Sequence, residues 1–464
     1  MRYEGNTVKD LVVCYIGGGS RGWAWGFLKD IAMDEQISGT VRLYDIDRAA
    51  AERNKVIGDK IMAHPDAKSH WQLTVADSLK EGLEGADFVV ASILPGTFEE
   101  MRSDVHAPEK YGIWQPVGDT AGAGGFMRAM RTIPMYVEIG NAIKNYAPNA
   151  WVINYTNPMS LCVRTLYEVF PEIKAFGCCH EVFGTQKLLA AMLETECGIS
   201  GVERQEIHTT VSGINHFTWI TEATYKGMDL FPLYRDFVDK YYESGYSKGH
   251  DDNWMNSVFD CAHRVKFDLF RRYGLIAAAG DRHLAEFMPP WYLHDPKTVE
   301  SWKFSLTTVD WRVKDLAERL KRSDDLASGK EEIKLGGSGE EGHLLLKAVL
   351  GLGDMISNVN IPNRGQIPNL PIGSVVETNA YFGKNCIRPI YAGELKSDVQ
   401  AMVMRHICNH ENTLKTALAC DRKLGFTTFM NDPQLGGIMP EDGQKLFDEM
   451  LLNQRKYLPE GWFE

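Results

Sequence analysis

The sequence predicts an α/β protein: a Rossmann-type, doubly wound parallel sheet over residues 1–200, followed by an α+β domain over residues 201–464. Three observations predict it. In the first 200 residues short apolar, β-branched runs alternate with helical stretches, the pattern of parallel strands joined by crossover helices. The first of these runs ends in glycines, "DLVVCYIGGG". After residue 200 the periodicity changes, and "EIHTTVSGINHFTWITEATYKG" alternates like a pair of antiparallel strands. A chain of 464 residues is also too long for one ordinary core, which favours two domains.

Taken in order, the strands of the first domain are "DLVVCYIGGG", "GTVRLYDID", "GADFVVASIL", "AWVINYTNP" and the shorter "KAFGCCH". Helical patterns such as Ala49–Met62 and Arg128–Tyr146 lie between them. In the second domain Val258–Tyr273 and Ser397–Cys420 read as helices. Residues 322–342 are rich in Glu, Lys, Asp and Gly and read as a surface excursion. Residues 431–464 carry no motif that points to chemistry.

Charge and composition narrow the function classes. The net charge of -12, with acids and bases interspersed, argues against a nucleic-acid or anionic-membrane surface. No apolar run approaches the roughly 20 residues of a membrane span, and the N-terminus lacks signal-peptide flanks. Nine scattered cysteines without C-x-x-C spacing indicate neither a disulfide framework nor a zinc finger. The expectation is a cytoplasmic enzyme acting on a small molecule.

The first strand leads into "YIGGGSRGWAWG", with Gly17-x-Gly19-x-x-Gly22 and Ser20 at a strand-to-helix turn. Such glycines let the backbone approach a pyrophosphate seated at a helix N-terminus. Asp45 closes the second strand, where an acid binds the ribose hydroxyls and repels a 2′-phosphate. NAD is therefore expected over NADP, although Arg21 inside the loop can attract extra phosphate, and such a turn also occurs without a nucleotide. Further on, "NYTNP" puts Asn154 and Asn157 at the end of a strand, beyond which open α/β sheets bind ligands. An Asn-Pro turn needs no ligand to explain it, however. "AFGCCHEVFGTQ" sets Cys178, Cys179, His180 and Glu181 side by side, and "SGINHFTW" brings His216. A thiolate and an imidazole from two elements can hold a borderline divalent metal with positions left open. A buried thiol and a structural histidine fit the same residues.

Together these motifs resemble glycoside hydrolase family 4. "GGGS" with Asp45, "GDTAGAGG", "NYTNP", "GCCHE", "GINHFTW", "GDRHLAEFMP" and "NIPNRGQIPNLP" recur in family order from the first strand to about residue 380. "CHE" followed by "VFGTQ" resembles the branch acting on α-galacturonides. The resemblance implies a second domain like that of lactate/malate dehydrogenases, NAD and Mn2+ or another divalent metal as cofactors, and a homodimer or homotetramer. It implies a reaction in which the sugar's C3 hydroxyl is oxidised, the C2 proton removed and the glycosidic oxygen eliminated. Water addition and re-reduction complete it, outside the two-carboxylate scheme of most glycosidases.

Carried over residue by residue, Cys179 and His216 match the family's metal ligands, and Cys178 is expected to pack into the sheet. Asn157 matches the residue that contacts substrate, and Asn154 is expected near the nicotinamide. Asp281 matches the C2 base of some members, though a salt-bridged carboxylate fits it too. His180 and Asp119 are alternative proton donors. A uronate carboxylate calls for a bidentate arginine, with Arg128, Arg131 and Arg282 as candidates. The expected substrate is a short oligogalacturonide. The alternatives are an α-glucosidase, α-galactosidase or α-glucuronidase of the same family, a net dehydrogenase of lactate/malate type, and an NAD-sensing regulator without turnover.

Overall fold

The computed structural model describes residues 1–249 and 253–464. Its strands are β1 (Arg2–Glu4), β2 (Thr7–Ile16), β3 (Ile37–Tyr44), β4 (Gln72–Val75), β5 (Phe88–Ala91), β6 (Trp151–Asn154), β7 (Lys174–Gly177), β8 (Ile207–Ile214) and β9 (Phe217–Tyr225). They are followed by β10 (Met228–Asp229), β11 (Ile276–Ala277), β12 (Met355–Pro362), β13 (Val375–Gly383) and β14 (Cys386–Pro389). The larger sheet runs in the order β14-β13-β12-β7-β6-β5-β2-β3-β4. From β7 to β4 every pairing is parallel.

Side-chain alternation explains why this sheet is covered on both faces. Val13 and Tyr15 of β2, Phe88 and Val90 of β5, Ile153 and Phe176 belong to one buried cluster. Their neighbours Cys14, Ile16, Val89, Ala91, Val152 and Ala175 belong to a second cluster on the opposite face. A period of two split between two cores is the signature of a doubly wound sheet. The strand order reverses between β5 and β2, and ligands of such sheets bind at that switch point, beyond the strands' carboxyl ends.

All five strands anticipated in the first 200 residues are present, together with the short β4. The anticipated antiparallel pair forms the hairpin β8–β9. Of the predicted helices, Ala49–Met62 corresponds to Arg48–Met62, and the pattern at Arg128–Tyr146 extends back to Gly122. The helix expected over Val258–Tyr273 begins only at Arg264. Residues 322–328, expected in a surface excursion, are the last turns of a helix, Val309–Ser328. Across the expected boundary near residue 200 the sheet is shared: β12, β13 and β14 extend it antiparallel, β12 joining β7 through Asn360 and Gly177. Residues 431–464 supply the helix Pro440–Asn453, whose Leu446, Phe447, Met450 and Leu451 pack in a buried cluster with the long helix Gly122–Tyr146.

Candidate active site

The glycine turn is as tight as its sequence suggests. Gly17 and Gly18 both donate their N–H groups to the Tyr44 carbonyl, at 2.9 Å each. A first side-chain carbon at Gly17 would lie 2.0 Å from the Ser92 carbonyl oxygen, so the loop and the end of β5 can meet only through glycine. Gly22 caps the helix Trp23–Ala32. Asp45 accepts the Gly19 N–H at 2.8 Å and the Asp47 N–H at 2.9 Å, and burial holds its carboxyl above the ordinary range. The arrangement is a backbone-lined concavity with Ser20 and an acid at its rim. It has the shape and donors that a pyrophosphate and an adenosine ribose require.

Asn154, in contrast, is fully buried, with its amide consumed internally. It accepts from Tyr136 at 2.5 Å and Thr156 N–H at 3.2 Å, and donates to the Thr156 carbonyl at 3.0 Å. Its post is to hold the turn that ends in the cis Asn157–Pro158 bond. Asn157, half-buried in that turn, donates its Nδ2 to Asp119 at 3.3 Å, and its buried Oδ1 has no partner.

Two loops bring the metal-type ligands together. His216 sits in the two-residue turn between β8 and β9, after a cis Asn215–His216 bond. Asp119 sits in the loop before the helix Gly122–Tyr146. With His283, from the short helix Asp281–Phe287, they place ligand atoms within 4.8 Å of one another. The two imidazoles stack with centroids 4.0 Å apart. Burial and the His283 charge push His216 down to about 4, so it is neutral and fit to bind a cation. Burial opposes ionisation of Asp119, yet Arg128, His283 and His216 outweigh it and hold the carboxyl well below its usual range. Neutral imidazoles, an ionised carboxylate and the partnerless His283 Nδ1 make a donor set that suits a borderline divalent ion.

Each of these loops is bolted by a buried acid. Glu286 accepts the Val117 and Gly118 N–H groups at 2.7 and 2.8 Å, fixing the loop of Asp119. Its second oxygen is buried without a partner, and burial pushes its carboxyl up to about 8. Glu377, on β13, accepts from Asn215 at 3.2 Å, Thr218 at 2.8 Å and Asn358 at 2.7 Å. Asn358 also donates to the Cys179 carbonyl at 3.3 Å. Glu377 thus ties the end of β7 to the His216 turn.

The sequence-predicted residues divide accordingly. Cys178 packs into the cluster that holds Phe176, as expected of its alternation. Cys179 faces the other way, with its thiol held well above the usual range by burial and by Glu377 and Glu181. Among the described residues, the three-ligand group within 4.8 Å contains His216 but not Cys179. His180 is half exposed, pairs with Glu340 at 2.9 Å and stacks on Trp23; the Glu340 bond favours its protonated form. Glu181 accepts the Gly280 N–H at 2.8 Å and lies 3.8 Å from His283 and 3.9 Å from His180. Burial notwithstanding, the neighbouring imidazoles of His283, His216 and His180 hold its carboxyl down at about 2.

Asp281, the candidate C2 base, is tied to backbone in this structure. It is fully buried, and both of its oxygens accept backbone N–H groups, from Val265 at 3.2 Å and Lys266 at 3.1 Å. It groups with Cys261 and His263 instead of with Asp119. Its position anchors the start of the helix Arg264–Tyr273. Arg131 is likewise spent, on a bidentate pair with Asp104 and on Gln454 and the Pro95 carbonyl. Arg128 donates to the Asn157 carbonyl at 3.1 Å, and Arg282 binds Thr307 at 2.5 Å. His283, Glu286 and Glu377 escaped sequence reasoning. The first two stood in view as polar residues within the apolar "HLAEFMP", and Glu377 as a lone acid inside "VVETNAYF".

Comparison with known proteins adds the following. Residues 12–195 match the model of the family 4 glycosyl hydrolases, and residues 211–435 that of the family's C-terminal domain. A protein of Thermoanaerobacterium saccharolyticum named alpha-galacturonidase is 59% identical over 100% of this chain and 99% of its own. The crystal structure of lplD from Bacillus subtilis has a TM-score of 0.92 at 49% identity, covering 96% of this chain and 100% of that one. The 6-phospho-beta glucosidase of Thermotoga maritima, solved with manganese, NAD+ and glucose-6-phosphate, shares the fold. Its TM-score is 0.76 at 20% identity, over 97% of this chain and 99% of that one.

Proposed function

The chain belongs to family 4 of the glycosyl hydrolases, and from that premise we propose that it is an NAD- and Mn2+-dependent α-galacturonidase. The observation that carries the substrate is 59% identity, over the whole chain, to a protein named alpha-galacturonidase. The observation that carries the chemistry is a link between two unlike sites: Trp23, directly after the glycine turn, stacks on His180 at 6.0 Å, and His180 is joined through Glu181, at 3.9 and 3.8 Å, to His283 of the carboxylate–bis-imidazole group.

When bound, NAD supplies the oxidation and re-reduction at the sugar's C3, and the divalent metal polarises the oxygens at C2 and C3. Gly17, Gly19, Ser20 and Gly22 receive the pyrophosphate, and Asp45 takes the ribose hydroxyls. His216, Asp119 and His283 hold the metal. Cys179, just beyond β7 and tied by Asn358 and Glu377 to the His216 turn, would complete the set as a thiolate, its proton released to solvent when the cation binds. Asn157 presents its free carbonyl oxygen to a sugar hydroxyl. His180, kept protonated by Glu340, hands a proton to the leaving oxygen. Ionised Glu181 bridges His180 and His283 and holds both rings in register. Asp281 acts behind His283, fastening the start of the helix that carries both to the start of the helix Arg264–Tyr273. The protein works on short uronides in a reducing, cytoplasmic setting, as a homo-oligomer.

The test is hydrolysis of a chromogenic α-galacturonide under reducing conditions, with and without added NAD and Mn2+, beside the α-glucoside, α-galactoside and α-glucuronide. The expected result is turnover of the galacturonide that requires both additions and yields no net NADH. Net NADH from a hydroxy acid, without hydrolysis, would replace this reading with a dehydrogenase.

A further inference from the structure

The guanidinium groups around Asp119 are not all accounted for by the protein. Arg131 shows what a satisfied one looks like, with Asp104, Gln454 and the Pro95 carbonyl around it. Arg282 and Arg312 differ. Arg282 is buried, donates through Nη2 to Thr307 and to the Pro116 carbonyl, and leaves its Nε–H buried without a partner. Arg312, from the helix Val309–Ser328, also has a buried Nε–H without a partner. The charges closest in influence to Arg312 are Asp119, Arg282 and Glu286, and Arg282 in turn feels Glu286 and Asp119. Both arginines therefore face the same locality. Among the described residues neither has a carboxylate at ion-pair distance.

Charge counting sharpens the point. Three guanidiniums, those of Arg128, Arg282 and Arg312, feel Asp119; the last two also feel Glu286. Arg282 feels Glu181 as well, whose carboxylate is engaged by the Gly280 N–H and the histidines. Glu286 already spends one oxygen on two backbone N–H groups, and Asp119 is engaged by Thr120 and Asn157. Positive charge with unused, directional donors is left over, and buried donors of that kind call for an acceptor. A planar guanidinium with a free Nε edge matches a carboxylate better than any neutral group. A floor for a sugar ring is at hand: Arg282 lies over the Phe259 ring at 5.1 Å, and Phe259 meets Trp311 edge-on at 5.1 Å. Phe259 is 52% exposed, a large apolar face left open beside the two arginines.

We infer that Arg312, together with Arg282, forms the clamp for the C6 carboxylate of the sugar and so sets the preference for a uronide over the neutral glycoside. This rests on the galacturonide reading above and extends it to a residue from the second half of the chain. Arg282 positions its free edge through Thr307 and Pro116, whereas Arg312 supplies the other half of the clamp from the first turn of its helix.

The experiment measures kcat/KM of the NAD- and Mn2+-loaded enzyme on p-nitrophenyl α-galacturonide and p-nitrophenyl α-galactoside, for wild type, Arg312→Met and Arg312→Lys. In Arg312→Met the ratio of galacturonide to galactoside kcat/KM is expected to fall about 100-fold, mostly through KM. Arg312→Lys, which keeps the charge but loses the fork, is expected to fall about 10-fold. D-galacturonate should raise the melting temperature of wild type more than that of either variant. A ratio unchanged in both variants overturns the clamp while leaving the galacturonidase reading intact. Wild type that prefers the galactoside overturns both. Should Arg312→Met fail to fold, Arg312→Lys and the melting shifts decide between the same outcomes.

Discussion

Two groups of ligand-type side chains lie close together in this protein, and only one of them looks like a metal site. Asp119, His216 and His283 have ligand atoms within 4.8 Å of one another, and so do Cys261, His263 and Asp281. The second group sits beside Lys266, a buried ammonium, and its carboxylate is tied to two backbone N–H groups. Its thiol is pushed up to about 12 by burial, and its imidazole down to about 3, again by burial and by the Lys266 charge. A lysine amine already occupies that place, although burial lowers its pKa, and the carboxylate is already satisfied. The first group has a partnerless imidazole nitrogen and lies next to the ionised carboxylate of Glu181. Donor type and spacing are common to both; the surrounding charge tells them apart.

The largest effect that tests this contrast comes from removing a ligand in each group. His216→Ala should lower kcat/KM by about 1,000-fold or more and abolish Mn2+ binding by calorimetry. Asp281→Asn should lower kcat by less than about 10-fold, while reducing the melting temperature through the lost helix anchor. Loss of turnover in Asp281→Asn with folding and metal binding intact would restore this residue to the chemistry as the C2 base. Next in size is Glu377→Gln, which loosens the tie between Cys179 and the His216 turn. It is expected to weaken Mn2+ binding by about 10–100-fold with little change in NAD affinity, and equal losses of both would point to a damaged fold instead.

At the nucleotide end, Asp45→Asn should weaken NAD binding by about 10-fold and narrow the preference over NADP, as read by fluorescence titration. The smallest effect is on stability. Burial raises the Glu286 carboxyl to about 8 from an ordinary value near 4.5, so the protein is most stable with this group protonated. That contribution is complete below pH 4.5 and is lost as pH rises through 8. Glu286→Gln, which cannot ionise, should therefore gain on wild type across that window, by about 1 kcal/mol at pH 7 after relaxation is allowed for. Chemical denaturation at pH 5, 7 and 8.5 checks the sign. A difference constant with pH would mean that Glu286 titrates as an ordinary acid.

The same contrast explains what was legible in the sequence. The parallel strands were, because each is an apolar run whose alternate residues feed one of two cores. β4, only four residues with Gln72 exposed at its start, carries too weak a pattern. That β12–β14 continue the first sheet was not readable, since the join is a single register pair, Asn360 to Gly177, between segments far apart in the chain. At the site, Gly17, Gly19 and Asp45 stand in one contiguous motif whose geometry is local. His283, Glu286, Glu377 and Arg312 act through contacts made across the fold, each a single polar residue without local spacing to mark it. For Asp281 the motif shows that an acid stands beside the ligand-bearing residues but not which way its carboxylate turns, toward the backbone of Val265 and Lys266.

The central claim is that the glycosidic bond is broken by way of a proton removed at C2. The most direct test is to run the loaded enzyme on an α-galacturonide in D2O and examine the released galacturonate by NMR. The account predicts deuterium at C2 of the product, appearing only with turnover. Product that carries only hydrogen at C2, with hydrolysis otherwise complete, would contradict it and return the protein to direct displacement at the anomeric carbon.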